Sequence, residues 1–205
     1  RFLPKLKSLG ILAVDVMTEK IKAAVWDIGG VLLDDPKIGA FWKGINGSEE
    51  LRNDFASGRL SVEEFISRGA KLLRMPEEDF LSSYKEAYFS VKPMKPSLKI
   101  YENMKTNRYI LSDTNPLHMK FIRENFPNIF RMSKKNYFSP EIKMMKDSEK
   151  VFEYVSGNLN LNPSQILLID NKDEIIDYAK SAGWNAIHFV DSLELEKDLK
   201  KLGVN

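Results

Sequence analysis

Asp27 is the residue in this sequence that is best placed to do chemistry. It ends the short apolar run Ala23–Trp26, and a run of that length followed by polar residues and glycine predicts a strand buried on both faces. Open α/β sheets bind their ligands at the carboxyl ends of such strands. Gly29 and Gly30 follow, and glycine lets the backbone turn tightly and approach a ligand closely. An acid at this position therefore indicates ligand binding or catalysis more than packing.

A sheet is needed to position Asp27, and the sequence after residue 93 alternates between strand and helix patterns. Apolar runs at 109–111, 166–169 and 186–190 predict strands, with proline and acidic residues opening helices between them. A chain that alternates in this way forms a parallel, doubly wound sheet. The predicted fold class is therefore α/β, with a Rossmann-like parallel sheet.

The region between the first two strands has helical patterns and no strand. Ser61 and Glu64 form a predicted capping box at the start of one helix, and Ser48 is predicted to cap another. A βαβ crossover usually needs only one helix, so several helices indicate an inserted helical domain. The predicted division is an N-terminal extension at 1–16, a core at 17–35 and 93–205, and the helical insertion at 36–92.

Residues 26–32, Trp-Asp-Ile-Gly-Gly-Val-Leu, resemble the first motif of the haloacid dehalogenase superfamily, whose members are mostly magnesium-dependent phosphatases. The resemblance implies that Asp27 is the nucleophile. A carboxylate attacks a phosphate dianion only when a cation screens their repulsion, so Asp27 must share a metal ion. The helical insertion resembles the cap of the subgroup whose cap follows this motif, and residues 56–65 resemble that subgroup's cap sequence.

Ser112 follows the second predicted strand, and Leu-Ser-Asp-Thr-Asn at 111–115 is close to the family's Leu-Ser-Asn-Thr-Asn motif. The resemblance implies that Ser112 donates to the phosphate and that Gly30 and Asp113 lie beside it. Asp113 replaces an asparagine, and its charge would weaken phosphate binding unless it points away or meets a lysine. His118, at the start of the helix that follows, could contact the substrate from its place near this motif, but a surface position is the expected one.

Lys146 is the candidate for the catalytic lysine. Residues 141–147, Glu-Ile-Lys-Met-Met-Lys-Asp, resemble the family's lysine motif, and the register against Ile142 selects Lys146 over Lys143. A lysine here would stabilise both the aspartate and the transferring phosphate as a point charge. The sequence departs from the family pattern in having Lys143 for a glycine and Asp147 for a proline.

Asp170 and Asn171 resemble the acidic motif that supplies the remaining metal ligand in the family. Many relatives have two acids here, whereas this chain has one acid and one amide. Mg²⁺ prefers hard oxygen ligands and is usually bound by only one or two protein carboxylates. The resemblance therefore implies a Mg²⁺ site made of Asp27, Asp170, Asn171 and the carbonyl of Gly29, weakened by the loss of one charge.

Gly29 stands where phosphatases of the family usually carry a general acid for the leaving alcohol, and losing such an acid costs about 10²–10⁴-fold in rate. Three interpretations stay open. The first is a phosphatase of small monoesters, including sugar phosphates, whose leaving groups depart easily; Asp34 or Asp35 could otherwise supply the proton, although loop carboxylates are the simpler interpretation. The second is a haloacid dehalogenase that uses the same aspartate. The third is a binding or regulatory domain with impaired ligands.

The composition limits the partners that we expect. The chain has 205 residues, 43% of them hydrophobic and 29% charged, which suits one domain with an insertion. The net charge of +2 is too near neutrality to argue for nucleic acid or an acidic membrane. The absence of cysteine excludes disulfides and thiolate chemistry and fits a cytoplasmic protein. The apolar run at 9–16 is broken by Asp15 and is too short to span a membrane.

Overall fold

The computed structural model describes residues 20–34 and 36–204. In this part of the chain a parallel sheet carries helices on both faces, which confirms the predicted α/β, doubly wound fold class. The N-terminal extension predicted at 1–16, and Asp35, lie outside the described residues.

The strand order brings the ends of three strands together. The strands in the described residues are β1 (Ala23–Trp26), β2 (Leu33–Asp34), β3 (Lys92–Pro93), β4 (Asn107–Ser112), β5 (Asn136–Phe138), β6 (Ile166–Asp170) and β7 (Asn185–His188). The large sheet has the order β5-β4-β1-β6-β7, and every neighbouring pair is parallel. Because β1 lies between β4 and β6, their carboxyl ends form one edge.

Helices connect the strands and form a separate group after β2. In the described residues they are α1 (Pro36–Trp42), α2 (Ser48–Ala56), α3 (Val62–Leu73), α4 (Glu77–Tyr88), α5 (Lys95–Asn103), α6 (Pro116–Asn125), α7 (Pro127–Arg131), α8 (Ser139–Ile142), α9 (Glu149–Leu159), α10 (Asp173–Ser181) and α11 (Ser192–Lys201). None of these described helices combines the length and apolar character that crossing a lipid bilayer requires.

The central strand is buried on both faces, as its apolar run predicts. Ala24 and Trp26 of β1 point into the core that packs against α5 and α11, and Ala23 and Val25 point into the core formed with α9 and α10. All four side chains have 0% exposure. The period of two residues along a strand thus divides one short sequence between two hydrophobic cores.

Helices α1 to α4, called the helical segment below, have an aromatic core of their own. Phe55 stacks on Phe65 with ring centroids 4.0 Å apart, and Phe65 meets Phe80 and Tyr84 edge-on at 5.5 and 5.3 Å. The antiparallel pair β2–β3 connects this segment to the sheet. The helices begin at residue 36 and end at residue 88, while the predicted domain boundaries stay a prediction.

Helix caps follow the sequence in one case and not in another. The Ser61 capping box is confirmed, because its side chain accepts from the Glu64 amide and Glu64 accepts from the Ser61 amide. The prediction that Ser48 caps α2 is wrong. Gly47 is the N-cap, with a φ of 79°, and Ser48 is already helical and buried. The left-handed backbone suits glycine and moves the cap one residue earlier.

Close contacts between the helical segment and the rest of the described chain include a hydrogen bond and an approach of two backbones. The Tyr84 hydroxyl on α4 donates to Oδ1 of Asn115, the N-cap of α6, at 2.6 Å. Gly58, after α2, has a φ of +70°, and a Cβ built there would lie 2.8 Å from the carbonyl oxygen of Pro140 in α8. Only glycine permits this close approach of two backbones.

Candidate active site

Three strands deliver polar side chains to the carboxyl edge of the sheet. Asp27 follows β1, Ser112 ends β4 and Asp170 ends β6. These residues are buried, with exposures of 5%, 3% and 0%. Because β4, β1 and β6 are neighbours in the sheet, residues far apart in sequence meet here.

Lys146 lies between the two carboxylates. Its Nζ is 3.0 Å from Asp27 Oδ1 and 2.5 Å from Asp170 Oδ2, and its side chain is only 2% exposed. The turn between α8 and α9 carries it to the sheet edge. Burial on its own would lower the pKa of Lys146, but the charges of Asp27, Asp170 and Asp113 outweigh burial and raise that pKa above its ordinary value. Lys146 is therefore a buried ammonium ion at neutral pH.

Asp170 is held by two donors. Besides Lys146, the main-chain amide of Lys172 donates to its Oδ1 at 3.0 Å. Burial raises the pKa of Asp170 above the usual value, and the charge of Lys146 acts in the opposite direction. A carboxylate with these partners is fixed in orientation, which suits a metal ligand or a structural anchor for the lysine.

Asp113 meets the lysine through the main chain. Both of its carboxylate oxygens lie 3.2 Å from the Lys146 amide nitrogen, which donates to them. Burial raises the pKa of Asp113, and the nearby charge of Lys146 lowers it. The sequence left open whether Asp113 points away from the phosphate site or meets a lysine. Asp113 meets Lys146, and this contact joins the end of β4 to the turn that carries Lys146.

A cavity of about 230 Å³ lies between this edge and the helical segment. Its volume is below the range of pockets that hold drug-sized ligands, which begins at about 300 Å³. The described residues that line it from the core include Gly29, Ser112, Asp113, Thr114, His118 and Lys172, and those from the helical segment include Arg52, Asn53, Phe55 and Tyr88. The cavity is therefore of a size for small molecules and is lined by both parts of the fold, while Asp27, Lys146 and Asp170 are outside its lining.

His118 belongs to this cavity, so the expectation that it lies at the surface is wrong. It is 9% exposed, in the first turn of α6, with its amide bound to the Asn115 side chain at 3.1 Å. Its Nδ1 lies 3.4 Å from the Thr114 hydroxyl, and the Tyr88 ring packs edge-on against it at 5.4 Å. Burial lowers the pKa of His118 to about 4, so it is neutral at pH 7.

No family model matches the chain, but solved structures superimpose on it. A predicted HAD-like family hydrolase from Porphyromonas gingivalis has a TM-score of 0.71 at 18% identity, over 88% of this chain and 98% of that one. A HAD family enzyme from Bacteroides thetaiotaomicron, in complex with magnesium and inorganic phosphate, has 0.70 at 22%, over 85% and 98%. The L-2-haloacid dehalogenase of Xanthobacter autotrophicus, with chloropropionic acid covalently bound, has 0.61 at 18%, over 88% and 83%.

The chain has the haloacid dehalogenase-like hydrolase fold. The match includes the sheet and the helical segment, because each alignment covers at least 85% of the chain. The resemblance noted in four short motifs is thus matched by the fold of the aligned part of the chain.

The edge of this haloacid dehalogenase-like fold offers oxygen ligands that suit Mg²⁺. Asp27 and Asp170 supply two carboxylates, and the Asn171 Oδ1 is buried without a hydrogen-bond partner. No group of three or more His, Cys, Asp or Glu side chains within the described residues is arranged to hold a metal. Two carboxylates and neutral oxygens are nevertheless a set that Mg²⁺ commonly accepts, so the residues fit the ion. Their roles as ligands, with the Gly29 carbonyl, stay a prediction.

Gly30 has a steric role in the turn. Its φ is +72°, and a Cβ there would lie 2.2 Å from the Asn171 amide nitrogen. Its own N–H donates to the Leu33 carbonyl at 2.7 Å, so this amide already has an acceptor. The structure supports Gly30 as the residue that lets Asn171 approach, and gives no free main-chain donor for its predicted contact with phosphate.

The structure therefore brings most of the predicted site residues together. Asp27, Asp170 and Lys146 are in direct contact, Asp113 holds the lysine's amide, and Ser112 lines the adjoining cavity. Of the alternative proton donors, Asp34 is exposed on β2 and outside the residues that line the cavity.

The sequence did not point to Arg52 and Asn53, and it gave substrate contact only as the less expected alternative for His118. Arg52 and Asn53 precede Phe55 on α2, and only the three-dimensional fold shows which face of that helix meets the site. His118 had a usable signal, since it lies three residues after the N-cap Asn115 and thus at the end of α6 nearest the strand edge.

Proposed function

We propose that this protein is a member of the haloacid dehalogenase-like hydrolases and a magnesium-dependent phosphatase of small phosphate monoesters. The observation that carries the proposal is the buried contact of Lys146 with both Asp27 and Asp170 at the carboxyl edge of the sheet. A carboxylate nucleophile, a cation beside it and a second carboxylate are the groups that phosphoryl transfer through an aspartyl-phosphate requires.

In the proposed reaction, Asp27 attacks the phosphorus atom and the ester oxygen leaves with the bonding electron pair. Lys146 stabilises the negative charge on the transferring group, and the Ser112 hydroxyl donates to a non-bridging oxygen. Water then attacks the phosphorus of the aspartyl-phosphate, which releases inorganic phosphate and restores Asp27. Mg²⁺, held by Asp27, Asp170, Asn171 and the Gly29 carbonyl, would supply neutralisation of the phosphate charge.

The leaving group must depart without a strong acid beside it. Gly29 lines the cavity where relatives carry an aspartate, and Asp34 is exposed on the neighbouring ribbon. Water therefore protonates the departing oxygen. Because a positioned acid contributes about 10²–10⁴-fold, the enzyme should favour leaving groups of low basicity, such as an aryl oxide or an anomeric sugar oxygen.

The helical segment is proposed to act as a cap over this site. Residues from α2, α3 and α4 line the cavity together with Gly29 and Ser112, among them Arg52, Phe65 and Tyr88. A cap of this kind shields the reacting groups from bulk solvent and contacts the part of the substrate that leaves. Substrate choice would then depend on the helical segment, while the chemistry depends on the sheet edge.

The test is Asp27→Asn, assayed with an aryl phosphate and with sugar 1-phosphates and 6-phosphates in the presence of Mg²⁺. We expect the rate to fall by about 10³-fold or more with the fold retained, because the nucleophile is lost. Asp34→Asn, at an exposed carboxylate outside the cavity, is the matched control and should keep its rate. Chelation should also abolish turnover. A rate within a few-fold of the unchanged protein would end the proposal.

Haloacid dehalogenation is the second candidate. It is favoured by Gly29, since displacement of a halide needs no general acid, and by the likeness to the L-2-haloacid dehalogenase. The same Asp27 would attack carbon in place of phosphorus. Halide release that is insensitive to a chelator, without phosphate release from any monoester, would support this candidate over the first.

A further inference from the structure

The lining of the cavity includes polar groups that the proposed chemistry does not use. Arg52 and Asn53 of α2 line it from the helical segment, and His118 of α6 lines it from the core. We call these three residues the distal wall. Each of these side chains carries N–H groups that can donate hydrogen bonds to a ligand.

Arg52 is positioned by aromatic packing. Its guanidinium carbon lies 5.9 Å from the centre of the Trp42 ring, and the Trp42 indole N–H donates to the Tyr88 hydroxyl at 2.8 Å. Arg52 forms no ion pair with any carboxylate of the described residues. An exposed guanidinium over a ring keeps its N–H groups available for a carboxylate or phosphate.

His118 adds a buried group without a partner. Its Nε2 is enclosed and makes no hydrogen bond within the described residues, while Nδ1 faces the Thr114 hydroxyl at 3.4 Å. When that hydroxyl donates to Nδ1, Nε2 carries the ring proton and is a donor. A buried donor left unpaired is costly, so a ligand acceptor at this position would be favoured.

The charged residues among the described lining of the cavity are two cations and one carboxylate. Lys172 lines it together with Arg52, and among the described lining residues Asp113 is the acidic one. Both oxygens of Asp113 are within hydrogen-bond distance of the Lys146 main chain, so that carboxylate faces the catalytic lysine. The distal wall is therefore a set of donors and one cation with no carboxylate of its own.

We propose that the distal wall binds an oxyanion on the leaving group, so that the substrate is a small phosphate monoester carrying a carboxylate or a second phosphate. This inference rests on the proposed phosphatase function and names its substrate class. The volume of about 230 Å³ suits a leaving group no larger than a monosaccharide. This substrate class excludes nucleotides and phosphoproteins. It differs from phosphate esters of neutral alcohols of the same size in carrying a second anionic group.

The first measurement compares substrates that differ only in this charge. Phosphoglycolate has a carboxylate, ethyl phosphate has the same carbon count without it, and ethylene glycol bisphosphate carries a second phosphate. We expect kcat/KM for one or both anionic esters to exceed that of ethyl phosphate at least about tenfold, because a charge-assisted hydrogen bond is worth that much. The two anionic arms decide between carboxylate and phosphate.

The second measurement assigns the preference to the distal wall. Arg52→Gln should raise KM for the preferred anionic ester about tenfold and change ethyl phosphate less than about threefold. Arg68→Gln, at an exposed arginine of α3 away from this cavity, is the matched control and should change neither. His118→Phe should act in the same direction as Arg52→Gln, with its thermal midpoint measured to separate a folding defect. Calorimetric binding of phosphoglycolate to Asp27→Asn, with and without Arg52→Gln, gives a reading independent of turnover.

The outcomes separate this inference from the function on which it rests. If an aryl phosphate is hydrolysed with Mg²⁺ but ethyl phosphate serves as well as the anionic esters, the oxyanion subsite is wrong and the phosphatase stands. Equal losses on both substrates in Arg52→Gln would also overturn it. If no monoester is hydrolysed, both proposals fall together.

Discussion

The sheet edge and the helical segment border the same cavity but differ in the kind of side chain that each buries. At the edge, Lys146 and two aspartates are packed in ionic contact with almost no exposure. In the helical segment the core is aromatic, with Phe55, Phe65 and neighbouring rings stacked or edge-on, and the polar residue Arg52 lies at its border. One region is dense in charge, and the other is almost free of buried charge.

This difference assigns separate tasks to the two regions. Groups that must keep one geometry are best fixed to strand ends and buried contacts, where low dielectric strengthens their interactions. Groups that select a substrate can stand on helices whose stability comes from apolar packing. Changes at the edge should therefore cost both activity and stability, whereas changes in the helical segment should cost one or the other. The following experiments test that division.

The largest effect is expected from Lys146→Met. Two buried carboxylates would lose their common cation, and breaking a buried ion pair typically costs about 3–5 kcal/mol. The loss should shrink at low pH, because burial already raises the pKa of Asp170 and a protonated acid needs no counter-charge. Urea unfolding at pH 7 and pH 4 measures both effects.

Lys143→Met is the matched control, since Lys143 is an exposed lysine three residues earlier. It should leave stability within about 0.5 kcal/mol. If Lys146→Met is equally mild, then Asp27 and Asp170 do not depend on the lysine, and the edge is not the charge-dense unit described above.

The next largest effect is expected in the pH dependence of stability, through His118 at the boundary between the two regions. Burial places its pKa at about 4 in the folded chain, against 6.5 for an unperturbed histidine. The unfolded chain therefore takes up the proton first, and stability falls as the pH drops from 6.5 towards 4. Since one pH unit corresponds to about 1.4 kcal/mol, the loss amounts to about 3 kcal/mol.

The measurement is the free energy of unfolding from pH 7 to pH 4 for His118→Gln beside the unchanged protein. The variant should lack this part of the pH dependence, whatever its stability at pH 7. His188→Gln, at the half-exposed histidine paired with Asp173, is the comparison and should keep the dependence. An identical slope in all three proteins would show that His118 stays solvated or protonated.

Most of the fold could be predicted from the sequence because strand and helix periods are local. The apolar run before Asp27 is buried on both faces, and the Ser61 capping box is present. The Ser48 prediction failed because the left-handed backbone of Gly47, which depends on how the chain enters α2, decides the cap. Local patterns thus predict elements better than their first residues.

The residues of the candidate site also fall into those that local patterns identify and those that they do not. Asp27, Ser112 and Asp170 could be chosen because parallel strands end at a common edge. The register selected Lys146, which lies beside the aspartates, over Lys143, which is exposed, while the catalytic role of Lys146 stays a prediction. What could not be predicted depends on contacts between the two regions, above all the faces of α2 and α6 that meet across the cavity.

A smaller effect is expected at the junction of the two regions, from Gly58→Ala. The left-handed backbone alone costs an alanine about 1–2 kcal/mol, and the new Cβ would also press on the Pro140 carbonyl oxygen. We expect a total loss of about 2 kcal/mol together with a raised KM, because the α2 end would shift away from the cavity.

Gly44→Ala separates the two causes. Its φ of +77° is similar, but nothing lies within 4 Å of the position that a Cβ would take. This variant should lose about 1 kcal/mol with an unchanged KM. Equal effects of the two substitutions on both quantities would mean that the contact with Pro140 does not hold the helical segment in place.

The smallest effect should come from Asp113→Asn. This variant tests whether the negative charge of Asp113 weakens phosphate binding at the sheet edge. An asparagine oxygen can still accept from the Lys146 amide, now bound by both carboxylate oxygens at 3.2 Å. Removing one negative charge beside the phosphate should tighten competitive inhibition by inorganic phosphate about fivefold, which corresponds to about 1 kcal/mol. Asp113→Ala removes the acceptor too and should lower kcat, because the turn that carries Lys146 loses its anchor. If the asparagine variant loses kcat as the alanine variant does, then the charge itself, and not the hydrogen bond, holds the lysine at the edge.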